Sequence, residues 1–77
     1  MAANALAHYK VLAGKLADMA MAHGPRTAAQ ETMLRRKTRG TEAALVASLV
    51  CGSLIEHGKP DLAMDYTIAL HAELCLE

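Results

Sequence analysis

The stretch TEAALVASLVCGSLIEHG, residues 41–58, decides the fold. Between 43 and 55 it carries Leu45, Val46, Leu49, Val50, Cys51, Leu54 and Ile55, with only alanine, serine and Gly52 between them. A helix that is apolar over most of its circumference has to be covered on several sides. The other segments are therefore read as its cover. Thr41 offers an N-cap. His57-Gly58 offers a stop, because glycine accepts the left-handed conformation that follows many helix ends.

On the N-terminal side, Leu6, Tyr9, Ala13, Leu16, Ala20 and His23 recur at spacings of three and four, the signature of a helical face. They predict a first helix over 5–23, capped by Asn4 and ended by His23-Gly24-Pro25. Leu12 and Met19 widen its stripe. A second helix is expected over 26–39, where Thr27 and Gln30 have the spacing of a capping box. Its apolar face is thin: Ala28, Ala29, Met33 and Leu34. Gly40 separates it from the central helix over 42–57. The rival is one continuous helix over 27–57, since a single interior glycine costs only about 1 kcal/mol. Beyond the central helix, Pro60 suits the first position of a last helix over 60–76. The inner face there is Leu62, Ala63, Tyr66, Ala69, Leu70 and Leu74. The reading is all-α: one domain spanning 1–77, with four helices in two antiparallel hairpins.

The core material is light. Seventy-seven residues include no Trp, no Phe and two Tyr, so alanine, leucine and valine must do the packing. A chain of this size buries only about 60–65% of its unfolded surface. A protein partner or self-association is therefore expected to complete it. Charge is segregated along the chain. Residues 26–40 carry Arg26, Arg35, Arg36, Lys37 and Arg39 against Glu31, a net of +4. Residues 41–77 carry Lys59 against Glu42, Glu56, Asp61, Asp65, Glu73 and Glu77, a net of −5, and residues 1–25 add +1. Such a dipolar surface can pair with copies of itself or with charged partners.

Lys10, Lys15 and Asp18 interrupt any export signal in the first 25 residues. The apolar run of 43–55 is shorter than the roughly 20 residues that span a bilayer. No membrane association is expected. Two cysteines without an export signal point to a reducing, cytoplasmic setting.

The two His-Gly pairs, at 23–24 and 57–58, are 34 residues apart, and each glycine has an alanine five residues on, Ala29 and Ala63. Cys51-Gly52, Leu54, Gly58, Ala63 and Leu70 occupy the small and packing positions of a helical-hairpin repeat. Leu16, Gly24, Ala29 and Met33 echo them, with Arg36 where a small residue is usual. Over residues 10–77 the chain resembles the tetratricopeptide repeat, a helix–turn–helix unit of this length. The resemblance implies a protein-binding scaffold, as in small bacterial secretion chaperones and adaptors, and implies no catalysis.

Few residues suggest other chemistry. Arg35, Arg36, Lys37 and Arg39 form the strongest polar feature. They suit either a solvated helix end complementing the dipole or a site for a phosphorylated ligand, nucleic acid or an acidic partner. No aromatic residue interleaves with them for base stacking. His71 and Cys75 are one turn apart, but in a simple hairpin Cys51 falls roughly 13 Å out of register with Cys75, too far to share a metal. Cys51 and His57 point to different faces of one helix and make no nucleophile–base pair. No enzymatic activity and no cofactor are expected. The side of the central helix facing the thin second helix should be under-covered. Val46, Val50 and Leu54 are therefore candidate partner contacts, together with Ile68, Cys75 and Leu76, which leave the inner stripe of the last helix. The function expected is a protein–protein interaction module, an adaptor, chaperone or regulator that self-associates. The alternative is a homo-oligomer binding a phosphorylated ligand or nucleic acid through residues 35–39.

Overall fold

The computed structural model describes residues 2–76, with side chains from Leu6 onward. Among the described residues there are four helices and no strand: α1 (Ala2–His23), α2 (Pro25–Arg39), α3 (Ala43–Glu56) and α4 (Pro60–Cys75). The all-α expectation is met, and Gly40 separates two helices rather than interrupting one. Its φ of +63° ends α2 in the left-handed conformation.

The helix starts differ from those expected. α1 begins at Ala2, so Asn4 lies within it and does not cap it. The alanine-rich start favours helix strongly enough to extend it. α2 begins at Pro25 and is preceded by Gly24 alone. Gly24 still donates its N–H to the Ala20 carbonyl at 2.9 Å, closing α1. It then turns the chain with φ +103° and ψ 160°, a region reserved almost wholly for glycine. Thr27 is thus inside α2, its hydroxyl directed at the His23 carbonyl at 3.5 Å, and forms no capping box. At α3 the N-cap is Glu42, with no side-chain cap bond. Thr41, expected there, is instead buried.

The end of α3 is as expected. Gly58 donates to the Ile55 carbonyl at 2.9 Å and Lys59 to the Leu54 carbonyl at 2.8 Å, the paired bonds of a Schellman motif. Gly58 sits at φ +73° to allow them. His57 adds a third link, donating from Nδ1 to the Ser53 carbonyl at 2.7 Å.

The helices pack chiefly as α2 on α4 and α1 on α3, with consecutive helices touching less and α2 barely reaching α3. The result is a slab of 33 × 30 × 16 Å. Its core joins Leu12, Leu16 and the alanines of α1 to Val46, Val50 and Leu54 of α3. Ala28, Ala29 and Met33 of α2 meet Ala63, Tyr66 and Leu70 of α4 in the same cluster. Alanine at so many inner positions brings helix axes close together, and Tyr66 is the largest side chain in the interior.

Tyr66 is wholly buried, so its hydroxyl needs a partner. Thr32 supplies one at 2.7 Å. The Thr32 hydroxyl donates its own proton to the Ala28 carbonyl at 2.8 Å. Its oxygen is therefore the acceptor, and the chain of bonds runs Tyr66 to Thr32 to Ala28. Burial pushes the Tyr66 phenol up from 10.0 to about 12, against the lowering effect of the Thr32 bond.

Unfolded chains lose the Tyr66 proton near pH 10 and folded ones near 12, so this contribution to stability is intact below pH 10 and disappears as pH rises to 12. Wild type should lose on the order of 2–3 kcal/mol over that window relative to Tyr66→Phe, measured by denaturant unfolding at each pH. Thr32→Val strands the Tyr66 hydroxyl and should lower stability at neutral pH by about 1–3 kcal/mol. A further thermal-unfolding comparison concerns the α3 stop. Gly58→Ala forces a Cβ into the left-handed region and should cost about 1–2 kcal/mol.

Candidate interaction surface

The expected partner contacts divide into two groups. Val46, Val50 and Leu54 are fully buried, each 0% exposed, and cannot meet a partner. The reason lies in the helix pairing. Thr32 binds α2 to α4, and α1 rather than α2 lies over the valine stripe of α3. The weak helix is therefore not the cover of α3, and the gap expected there does not exist. Ile68, Cys75 and Leu76 do lie on the surface, with Ile68 62% and Leu76 82% exposed. Met64, four residues before Ile68 and therefore on the same helix face, is 65% exposed.

α3 is also less enclosed than its composition suggests. Ala43, Val46, Val50 and Leu54 form one buried stripe, Leu45 and Leu49 are half-buried, and Ile55 is 57% exposed. Along α3 and α4 the contacts fall in reverse order. Ile55 shares a hollow with Pro60 and Met64, Cys51 meets Ala63 and Thr67, and Ala43 shares a groove with Leu74.

The outer face of this pair has two unlike ends. Near the α3–α4 turn, Ile55 and Met64 stand over a shallow hollow of about 330 Å³. At the opposite end is a groove of about 430 Å³ floored by Ala43, Ala44, Ala47, Leu70 and Leu74. Arg36, Glu42 and His71 edge that groove. Thr67 borders both hollows. Its hydroxyl donates to the Ala63 carbonyl at 2.9 Å and so accepts the Cys51 thiol at 3.1 Å. A third hollow, between α1 and α3, is lined by the small residues Ala13, Gly14, Ser48 and Gly52.

The members of the basic run stand in different surroundings. Arg35 is held by Glu31 at 3.1 Å within α2. Arg36 edges the alanine groove and is engaged in its own polar or electrostatic contact. Lys37 and Arg39 are exposed. The start of α3 beside them has Glu42 as its N-cap residue, with no side-chain cap bond, and a carboxylate at that end suits the helix dipole. Cys75 lies 3.7 Å from His71, while His57 turns to Ser53 and Cys51 to Thr67, so neither Cys51 nor His57 joins that pair. Among the described residues no three potential metal ligands converge, and no helix is long and apolar enough to cross a membrane.

Met64 falls outside the inner stripe of Leu62, Ala63, Tyr66, Ala69, Leu70 and Leu74, but Ile55 and the alanine groove escape a reading based on apolar content alone. Helical phase would find Ile55, which follows Leu54 by 100° and so departs from the 46–50–54 stripe. Compared with family models, with curated proteins and with solved structures, the chain matches none.

Neighbouring residues should respond very differently to truncation. Leu54→Ala should lower stability by about 2–5 kcal/mol, whereas Ile55→Ala should change it by less than about 0.5 kcal/mol. Denaturant midpoints of the two variants give the comparison directly.

Proposed function

We propose that the chain is a protein–protein interaction module working through the outer face of α3 and α4. The observation that carries the reading is the exposure of Ile55, Met64, Ile68 and Leu76, all more than half accessible, in a chain whose inner apolar stripes are already closed. Scattered single apolar residues are ordinary on a surface. A run along one helix, continued by a neighbour and bordering an apolar groove, is the composition of a binding face.

The resemblance to tetratricopeptide units adds support. Helices one period apart lie side by side, and Thr32 and Tyr66, separated by 34 residues, meet directly. Small residues admit close helix approach and leave large ones to project outward. This favours an adaptor or chaperone that binds a protein rather than an enzyme that transforms a substrate. Two unbridged cysteines suit a reducing compartment such as the cytoplasm.

The test is the size of the protein in its native extract. Wild type should run in an assembly larger than the 8.2 kDa chain, and Met64→Glu with Ile68→Glu should release it while helix content stays constant. If wild type stays at the mass of one chain both in extract and when purified, the reading is wrong.

A further inference from the structure

Resting on that reading, the two ends of the α3–α4 face specify its occupant. One end presents large apolar side chains, Ile55 and Met64, into solvent. The other presents a groove walled by Ala43, Ala44 and Ala47, where small side chains leave room. Both lie on one face, with Thr67 between them. The charges are opposed in the same way. The end near the turn carries Asp61 and Asp65 against Lys59, a net of −1, while Glu56 lines the hollow between α1 and α3. The groove end carries Arg36, Lys37 and Arg39 against Glu42 and Glu73, a net of +1. A surface whose two halves complement each other in both shape and sign is matched by its own copy under a two-fold rotation, because that operation exchanges the halves. A head-to-tail arrangement would use the same contacts but leave an open end at each step, whereas the two-fold closes after two copies.

We infer that this face binds a second copy of the chain, through a two-fold interface near Thr67 in which Ile55 and Met64 of each copy fill the alanine groove of the other. The two α4 helices then run in opposite directions across the interface. Asp61 and Asp65 of one copy approach the last turn of α2 in its partner. Each half of the contact is made twice, so a single substitution acts twice. Opposed charges aid encounter and register more than affinity, so added salt weakens the dimer modestly, while loss of an apolar anchor weakens it strongly.

Sedimentation equilibrium on the purified chain tests this. Wild type should show twice the mass of one chain at micromolar concentration. Met64→Glu removes the projecting anchor, and Ala44→Arg fills the groove at an exposed position with a good helix former. Each variant alone should raise the dissociation constant by about tenfold or more with unchanged circular dichroism. Mixed together, the two variants should recover a dimer, because one contact is then intact and the other pairs the introduced carboxylate with the introduced guanidinium. Ile55→Glu, equally exposed, serves in place of Met64→Glu if that chain misfolds. A wild type that stays monomeric at about 100 μM overturns the two-fold contact. If it nevertheless forms a Met64-dependent assembly in native extract, the occupant is a different protein and the interaction-module reading stands. A dimer that survives both variants in folded form, or fails to return on mixing, places the interface elsewhere.

Discussion

A single buried hydroxyl governs how these helices are arranged. Tyr66 is the only large aromatic ring in the described core, and a core of alanine, valine and leucine cannot satisfy its O–H. Thr32 accepts that proton and passes its own to the Ala28 carbonyl. A polar atom in the interior is thereby paired through α2, and α2 is fixed against α4. The other pairing follows. With α2 committed to α4, the valine stripe of α3 is left to α1, whose Leu12, Leu16 and alanines close it. The hydrogen-bond chain is small in net energy but discriminating, because an arrangement that separated Thr32 from Tyr66 would strand a donor in an apolar medium.

Much of the chain is readable from local chemistry. Spacings of three and four find α1, and His57-Gly58 and Pro60 bracket the turn between α3 and α4 closely. Gly40 and Gly58 stop helices for the reason glycine usually does, a left-handed conformation that other residues resist. The misses have physical causes. Thr27 and Thr41 are good caps by type, yet Pro25 starts α2 early and Thr41 is drawn inside. Apolar content predicts that α3 is surrounded. Packing leaves it at the edge of a two-layer slab, with Ile55 outside and one stripe inside. That outcome depends on which helices pair, which is set by a contact between residues 34 apart and is invisible to any local window. For the same reason Val46, Val50 and Leu54 are misassigned to the surface, while Ile68, Cys75 and Leu76, judged by phase against their own helix, do lie exposed.

The light core and the exposed apolar face are two sides of one composition. Alanines at Ala13, Ala17, Ala20, Ala28, Ala29 and Ala63 let the helices approach but contribute little buried area each. The larger apolar residues are divided between inside and outside, and Ile55, Met64 and Ile68 are among those outside. A chain that keeps such residues in water gives up stability it could have used, unless another surface covers them.

The connections between helices are extremely short. Gly24 alone joins α1 to α2, residues 40–42 join α2 to α3, and residues 57–59 join α3 to α4. A protease needs several residues of extended chain to enter its cleft, and none of these links can supply that length while its flanking helices stay wound. Cleavage within 24–60 must therefore wait for a helix end to unravel. The digestion rate there becomes a clock for opening of the bundle itself rather than for the motion of a loop.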